Sequence, residues 1–272
     1  MAYRYWILAL LCCSTMINYL DRQALSVIVP TLRAQMSLSS ADYGAITTAF
    51  MLAYGVGQII AGAVVDRTGT RMGLAMFAGL WSVAAVAHAG AGDMLQFLFL
   101  RVLLGLGEAG NWPAGVKAVS EWFSKSERAF SMGVFDGGSA VGAILAPPLV
   151  AALTVNYGWR VSFLATGVLG FVWLLFWLRF YEESPAAEAR PRGATAVWTV
   201  LRHPKLWGLM AMRTVATPVW WFYVFWLPDY LGHGRGLSQK EIGLFGWVPY
   251  VTVDLGKIAG GRLSDRMIAR GA

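Results

Sequence analysis

The sequence predicts an all-α membrane protein: a complete six-helix bundle followed by the first two helices of a second bundle. Three observations carry this expectation. Of the 272 residues, 57% are hydrophobic and 14% charged, whereas a soluble domain averages about 25% charged. Apolar runs of about 20 residues recur along the whole chain, the length that crosses a bilayer as a helix. The basic residues also segregate. With the N-terminus cytoplasmic, fourteen fall on the inner side, four on the outer side and four within spans, which is the positive-inside pattern. The net charge of +7 is thus assigned to cytoplasmic loops rather than to a nucleic-acid surface.

The spans follow in order. The first, 5–30, is apolar apart from Asp21-Arg22 and stops at Pro30. The second, 43–65, ends at Asp66, and 72–91 is the third. The fourth, 95–120, carries Arg101 and Glu108. The fifth, 128–153, holds Gly133-x-x-x-Gly137, Gly138-x-x-x-Gly142 and Pro147-Pro148. That is close-packing spacing with a bend, expected at the interface where two bundles rock. The sixth is 158–181. Residues 182–204, with Glu182, Glu183, Pro185, Arg190 and Arg192, read as a polar cytoplasmic linker. Spans 205–230 and 241–264 then open the second bundle. The domains expected are therefore 1–181, the linker 182–204, and 205–272. Cys12 and Cys13 are adjacent on a helix and cannot bridge each other. The Asp-Arg pair argues against a cleaved signal peptide.

An internal repeat supports the two-bundle plan. Leu38-Ser39-x-x-Asp42-x-Gly44 recurs as Leu237-Ser238-x-x-Glu241-x-Gly243, and Gly62-x-x-x-Asp66-Arg67 recurs as Gly261-x-x-x-Asp265-Arg266. Both pairs stand 199 residues apart, which argues for duplication. The second unit shows two of six helices, so the chain reads as truncated.

Charge inside hydrocarbon is expensive and normally faces protein or water. Counted from Pro30, Arg22 lies about 12 Å from the outer end; counted from residue 94, Arg101 lies about 10 Å deep and Glu108 about 21 Å. Arg22 and Arg101 are thus expected at similar depth, with Glu108 further in. A guanidinium fork suits a carboxylate ligand; a structural Asp-Arg pair fixing helix packing is the alternative. Asp21 can neutralise a cation or titrate. Glu108, among Gly105, Gly107 and Gly110, has no basic residue within four positions, and reads either as a proton-exchanging acid or as a permanent partner of Arg101 or Arg22. Tyr19, Tyr54, Asn111, Ser139 and Trp221 are candidates to complete a polar, aromatic cavity. Asp136 and Arg213 are intramembrane charges with no assigned role, and His88 reads as structural. In the loop after the second span, Gly62 is expected to allow close helix approach. Asp66 ends the helix and accepts from a helix N-terminus or Arg128. Gly69 permits a sharp turn, and Arg71 adds an inner-face ion pair. The chain has no Walker loop, HExxH, GxSxG or metal-site spacing, which argues against ATP-driven transport, membrane proteolysis and metal chemistry.

The loop Gly62-x-x-x-Asp66-Arg67-x-Gly69-x-Arg71 resembles the signature of the major facilitator superfamily. "INYLDRQ", "RVLLGLGEAGNWPAGVKAVSEWF" and "SERAFSMGVFDGGSAVGAILAP" are similar to its anion:cation symporter branch, above all to bacterial hexuronate and sugar-acid:proton symporters. The resemblance implies the major facilitator fold of twelve helices around a cavity that alternates between membrane faces. It implies that Arg22 holds the substrate carboxylate and that Asp21 and Glu108 form the proton-coupling pair with Glu108 the main acid; Arg101, expected near the depth of Arg22, is a further candidate for the substrate site. Gly62, Asp66, Arg67, Gly69 and Arg71, with Asp265 and Arg266 in the repeat, become gating residues of a cytoplasmic latch. The expected protein is not an enzyme. It is a monomeric symporter of the bacterial inner membrane, using no cofactor beyond a coupling proton, with a small sugar-acid anion and the lipid bilayer as partners and no nucleic acid. Another small organic anion, a dicarboxylate or phthalate-like acid, is the alternative substrate; a membrane enzyme or receptor is the rival class.

Overall fold

A computed structural model describes residues 2–184, 202, 204–253 and 255–256. Among these residues every regular element is a helix. Four of the described helices are long and apolar enough to cross a membrane unaided; α1 and a broken fourth crossing, which carry the buried charges, pack among them.

Helix α1 (Ala2–Met36) has 35 residues, about 52 Å against a hydrocarbon core of about 30 Å. It does not stop at Pro30. The proline removes one intrahelical hydrogen bond, yet six further helical residues follow, held by buried Leu32 and by the ion pair of Arg33 described below. This corrects the depth estimate. Arg22 lies fourteen residues from the end of α1, about 21 Å, level with Glu108 rather than with Arg101.

Helix α2 (Ser40–Thr68) is capped by Ser39, whose hydroxyl accepts from the Asp42 amide while the Asp42 carboxylate accepts from the Ser39 amide. The same reciprocal box, Ser238 with Glu241, starts a helix 199 residues later. Ahead of each box stands a left-handed residue, Ser37 (φ 51°) and Gly236 (φ 72°). The sequence repeat is therefore a repeat of helix-starting geometry. Gly69 (φ 83°) makes the turn into α3 (Thr70–Ala87), as its position predicts. A 3-10 turn, His88–Gly90, follows.

The fourth crossing is broken into α4 (Met94–Glu108) and α5 (Asn111–Trp122). Pro113 lacks the N–H that would bond to Ala109 and disfavours helical geometry at Trp112. The break therefore falls immediately after Glu108. Helices α6 (Arg128–Tyr157) and α7 (Trp159–Phe180) meet at Gly158 (φ 88°). Gly138 and Gly142 of α6 press onto α1: a Cβ on Gly138 would strike the Cys12 carbonyl, and one on Gly142 the Met16 carbonyl. This pair packs α1 to α6, whereas Pro147 of the same helix meets Gly243 and Gly246 from the later part of the chain; Gly133 and Gly137 meet no neighbouring atom within 4 Å.

Helix α8 (Pro204–Asp229) packs on α1 and runs into a π-turn at Tyr230–Gly234. Helix α9 (Gln239–Phe245) packs on α6 and α1, and helical backbone resumes at 248–253. As far as the described residues reach, each of the eight predicted spans coincides with helix, the fourth interrupted at 109–110 and the eighth at 246–247. Most of the linker, and Gly261, Asp265 and Arg266 of the repeat, lie outside those residues.

Candidate functional site

Positions 15, 18, 19 and 22 recur at one-turn spacing, so they share a face of α1. That face borders a cavity of about 60 Å³, lined by Thr15, Asn18, Tyr19 and Arg22 from α1 and Tyr54 from α2. Asn111 and Trp112 reach it from the break before α5, Asp136 and Ser139 from α6, and Trp221 from α8. That is space for a few waters. It is too narrow in this state for a six-carbon acid.

Arg22 and Glu108 form the core of the site. Arg22 donates from Nε (2.9 Å) and Nη2 (2.6 Å) to Oε2 of Glu108. The side chains are 2% and 0% exposed, so each charge is neutralised chiefly by the other. Arg22 Nη1 is not engaged by Glu108, and Glu108 Oε1 has no hydrogen-bond partner among the described residues. Four aromatic rings surround the guanidinium: Tyr54 at 4.7 Å, Trp221 at 4.8 Å, Tyr19 at 4.9 Å and Phe50 at 5.4 Å. Their faces favour the cation and keep water away from it. No basic residue stands near Glu108 in sequence, yet it is paired in space: of the partners open in the sequence, Arg22 is the one this state adopts.

Asp21, one residue before Arg22, does not line the cavity. It is buried, its polar neighbour is the Thr166 hydroxyl, and neither oxygen sits in hydrogen-bond geometry among the described residues. Arg101 is also buried. Its Nη1 donates to the Arg22 carbonyl (3.3 Å), and it does not line the cavity. In this state it stands behind α1, holding the Arg22 carbonyl, rather than at the expected position on the cavity wall. His88 is buried against Phe163 and Phe97, with Nδ1 2.6 Å from the Ala84 carbonyl.

The polar wall is partly cross-linked. Asn111 accepts from Ser14 (2.8 Å) and donates to Thr15 (3.1 Å), and Trp220 donates to the Tyr19 hydroxyl (3.3 Å). The structure thus brings Arg22, Tyr19, Tyr54, Asn111, Ser139 and Trp221 to one cavity. Sequence reasoning missed Thr15, Asn18 and Trp112 there and gave Asp136 no role. The helical spacing from Arg22 could have found the first two.

Around the α2–α3 turn, Asp66 pairs with Lys117 (3.1 Å), which also donates to the Val65 carbonyl (2.9 Å) and so caps α2. The expected partner Arg128 instead donates to the Phe123 and Ser120 carbonyls. Arg71 forms no ion pair among the described residues; it donates to the Leu178 carbonyl (2.5 Å). Gly62 meets no atom within 4 Å, so its expected close helix contact is not made among the described residues, and Arg67 is exposed.

A different set of contacts closes the Met36 end of α1 against α8 and α9. Arg33 grips Asp229 with both arms, 2.8 and 3.0 Å. Gln239 donates to the Val27 carbonyl (2.8 Å) and accepts from Thr31 (3.2 Å). Tyr43 donates to the Phe225 carbonyl.

Residues 11–272 match the Major Facilitator Superfamily. The chain is 37% identical over 279 residues to the hexuronate transporter of Escherichia coli (strain K12), covering 96% of this chain and 65% of that protein. To the galacturonate transporter of Dickeya chrysanthemi it is 35% identical, covering 95% of this chain and 80% of that protein. In fold it is similar to a crystallised bacterial homolog to the human lysosomal transporter Spinster, with a TM-score of 0.84 at 23% identity, covering 98% of this chain and 64% of that one. The chain thus spans about 65% of the length of the E. coli relative. With apolar helices enough to cross a membrane, the charges of the site buried among them, and this family match along nearly its whole length, the chain is an integral membrane protein that belongs to the Major Facilitator Superfamily.

Proposed function

We propose that the protein is a proton-coupled symporter of hexuronates or related sugar-acid anions, working by alternating access. The observation that carries this reading is the buried Arg22–Glu108 pair at the cavity wall. A substrate carboxylate and the Glu108 carboxylate are rivals for the same guanidinium fork. Protonating Glu108 removes its charge and releases Arg22 to the substrate. The anion and the proton then load together, and neither Arg22 nor the carboxylate is left alone in a dry site. Asp21, buried behind the same turn, is the second member of the coupling pair. No cofactor is needed beyond the proton.

The aromatic ring of Tyr19, Tyr54 and Trp221 suits the apolar faces of a sugar, and Ser139 and Asn111 suit its hydroxyls. The relatives named as hexuronate and galacturonate transporters support this substrate class. The basic-residue distribution supports a bacterial inner-membrane protein with its N-terminus in the cytoplasm, which makes the Met36 end of α1 the outer end. Under that reading the described state is closed outside. Residues 1–181 form the first bundle, 182–204 the linker and 205–272 the start of the second, in a functional monomer. The Gly62–Arg71 loop and Asp265-Arg266 act as its gating elements.

The test is transport by the complete protein in proteoliposomes. Glucuronate should drive proton entry, and labelled glucuronate should exchange in counterflow. Substrate movement without proton entry would overturn the coupling. Exchange blocked by a dicarboxylate or phthalate but not by hexuronates would overturn the substrate class.

A further inference from the structure

The cavity carries a second charge that the mechanism does not use. Asp136 lines it, is exposed, and has no hydrogen bond or ion pair among the described residues. It lies eight residues into α6, about 12 Å from the helix start, where a carboxylate facing lipid would be costly. Helices α1 and α6 run parallel, with Gly138 against Cys12 and Gly142 against Met16 and Tyr19. This register sets Asp136 toward the Ala2 end of the cavity, while Arg22 lies toward the Met36 end. The two charges therefore mark its two poles, with Thr15, Asn18 and Tyr19 between them.

Building on the sugar-acid reading, we propose that Asp136 is a specificity-determining residue: it admits polyhydroxy monocarboxylates and rejects dicarboxylates of the same length. An ionised carboxylate only accepts hydrogen bonds. The far hydroxyls of a sugar acid anchored at Arg22 can donate to it. A second substrate carboxylate has no proton to offer and brings a like charge, a repulsive element of the kind that sets specificity.

The decisive comparison uses an aldonate and the aldarate of the same six-carbon skeleton, which differ only at the terminal carbon. Each competes against labelled hexuronate uptake by the complete protein in proteoliposomes. The aldonate should inhibit at a concentration at least about tenfold lower than the aldarate. Asp136→Asn should narrow that ratio to about threefold or less, and Asp136→Glu should keep it. An aldarate as potent as the aldonate on the unaltered protein overturns the proposal without recourse to a variant, as does a ratio unchanged by Asp136→Asn. If neither acid competes and no hexuronate is taken up, the sugar-acid reading itself fails and takes this proposal with it.

Discussion

Arg22 and Glu108, 86 positions apart, meet through two hydrogen bonds to a single carboxylate oxygen, with both side chains buried. The geometry leaves half of each group uncommitted. Nη1 of Arg22 and Oε1 of Glu108 are not used by the pair. Such an arrangement can exchange one acceptor for another without first exposing a bare charge. A buried ion pair is weak evidence for stability in itself, because the desolvation cost offsets the attraction. Its value here lies in being breakable on one side.

Replacing Glu108 with Gln should therefore separate binding from coupling. Counterflow of hexuronate should persist, because Arg22 stays available to substrate, and proton-driven accumulation should be lost. Stability should fall by about 2–3 kcal/mol, less than the ~3–5 kcal/mol for outright loss of a buried partner, since the amide oxygen still accepts. Substrate should raise the melting temperature more in this variant than in the unaltered protein. Intact accumulation in Glu108→Gln would remove Glu108 from the coupling step.

The α1–α6 contact predicts opposite outcomes for two glycines of α6, Gly133 and Gly138. Gly138→Ala forces a Cβ against the Cys12 carbonyl, and overpacking of this kind costs about 1–3 kcal/mol. Gly133→Ala meets open space and should stabilise the helix by about 0.5–1 kcal/mol through propensity alone. Thermal unfolding in detergent checks both. Equal melting temperatures would mean that α1 and α6 do not pack along this face.

Much of this architecture was legible in the sequence, for identifiable reasons. Apolar runs of bilayer length located the helices, and the 199-residue repeat marked two helix starts because a capping box needs Ser and an acid three residues apart. The sequence leaves open which arginine Glu108 pairs with, Arg22 or Arg101, and the cause is Pro30. Taken as a helix end, it set Arg22 level with Arg101. In the folded chain α1 runs on to Met36, since packing and the Arg33 ion pair offset one missing hydrogen bond. Direction around the helix was a second gap. Asp21 and Arg22 are neighbours in sequence, but adjacent residues on a helix point about 100° apart. One enters the cavity and the other faces Thr166. Lys117, rather than Arg128, reaches Asp66, a contact between separate helices that sequence spacing does not encode.

Outside the membrane-spanning helices, Glu127 offers a pH-dependent contact. The Ser124 hydroxyl and backbone amide hold its carboxyl below the usual glutamate range, with Arg4 adding to the effect. A lowered folded-state value means that the contact stabilises above the ordinary glutamate pKa of about 4.3 and is lost as pH falls through the lower folded value. The melting temperature of Glu127→Gln relative to the unaltered protein should thus differ by a constant amount from pH 7 to about 5, and the difference should shrink below about pH 4. A difference that grows on acidification would contradict the assigned direction.

The Arg33–Asp229 pair closes the Met36 end of α1, and its side chains are only 11% and 9% exposed. It joins α1 to the end of α8, and the Gln239 and Tyr43 bonds lie at the same end. If these contacts hold the cavity shut on that face, weakening them should shift the protein toward the state open there. A charge-assisted hydrogen bond contributes about 1.5–3 kcal/mol, so Asp229→Ala should raise the open population at least about tenfold. The readout is labelling of a cysteine placed at Asn18, in a background lacking Cys12 and Cys13, by an impermeant maleimide added from the face at the Met36 end. Swapping the charges, Arg33→Asp with Asp229→Arg, should return the labelling rate toward its starting value, because the pair is re-formed with its polarity reversed. Labelling that is indifferent to Asp229→Ala would show that the pair only anchors α8. Labelling that rises in Asp229→Ala but is not restored by the swap would assign the closure to the neighbouring Gln239 and Tyr43 bonds.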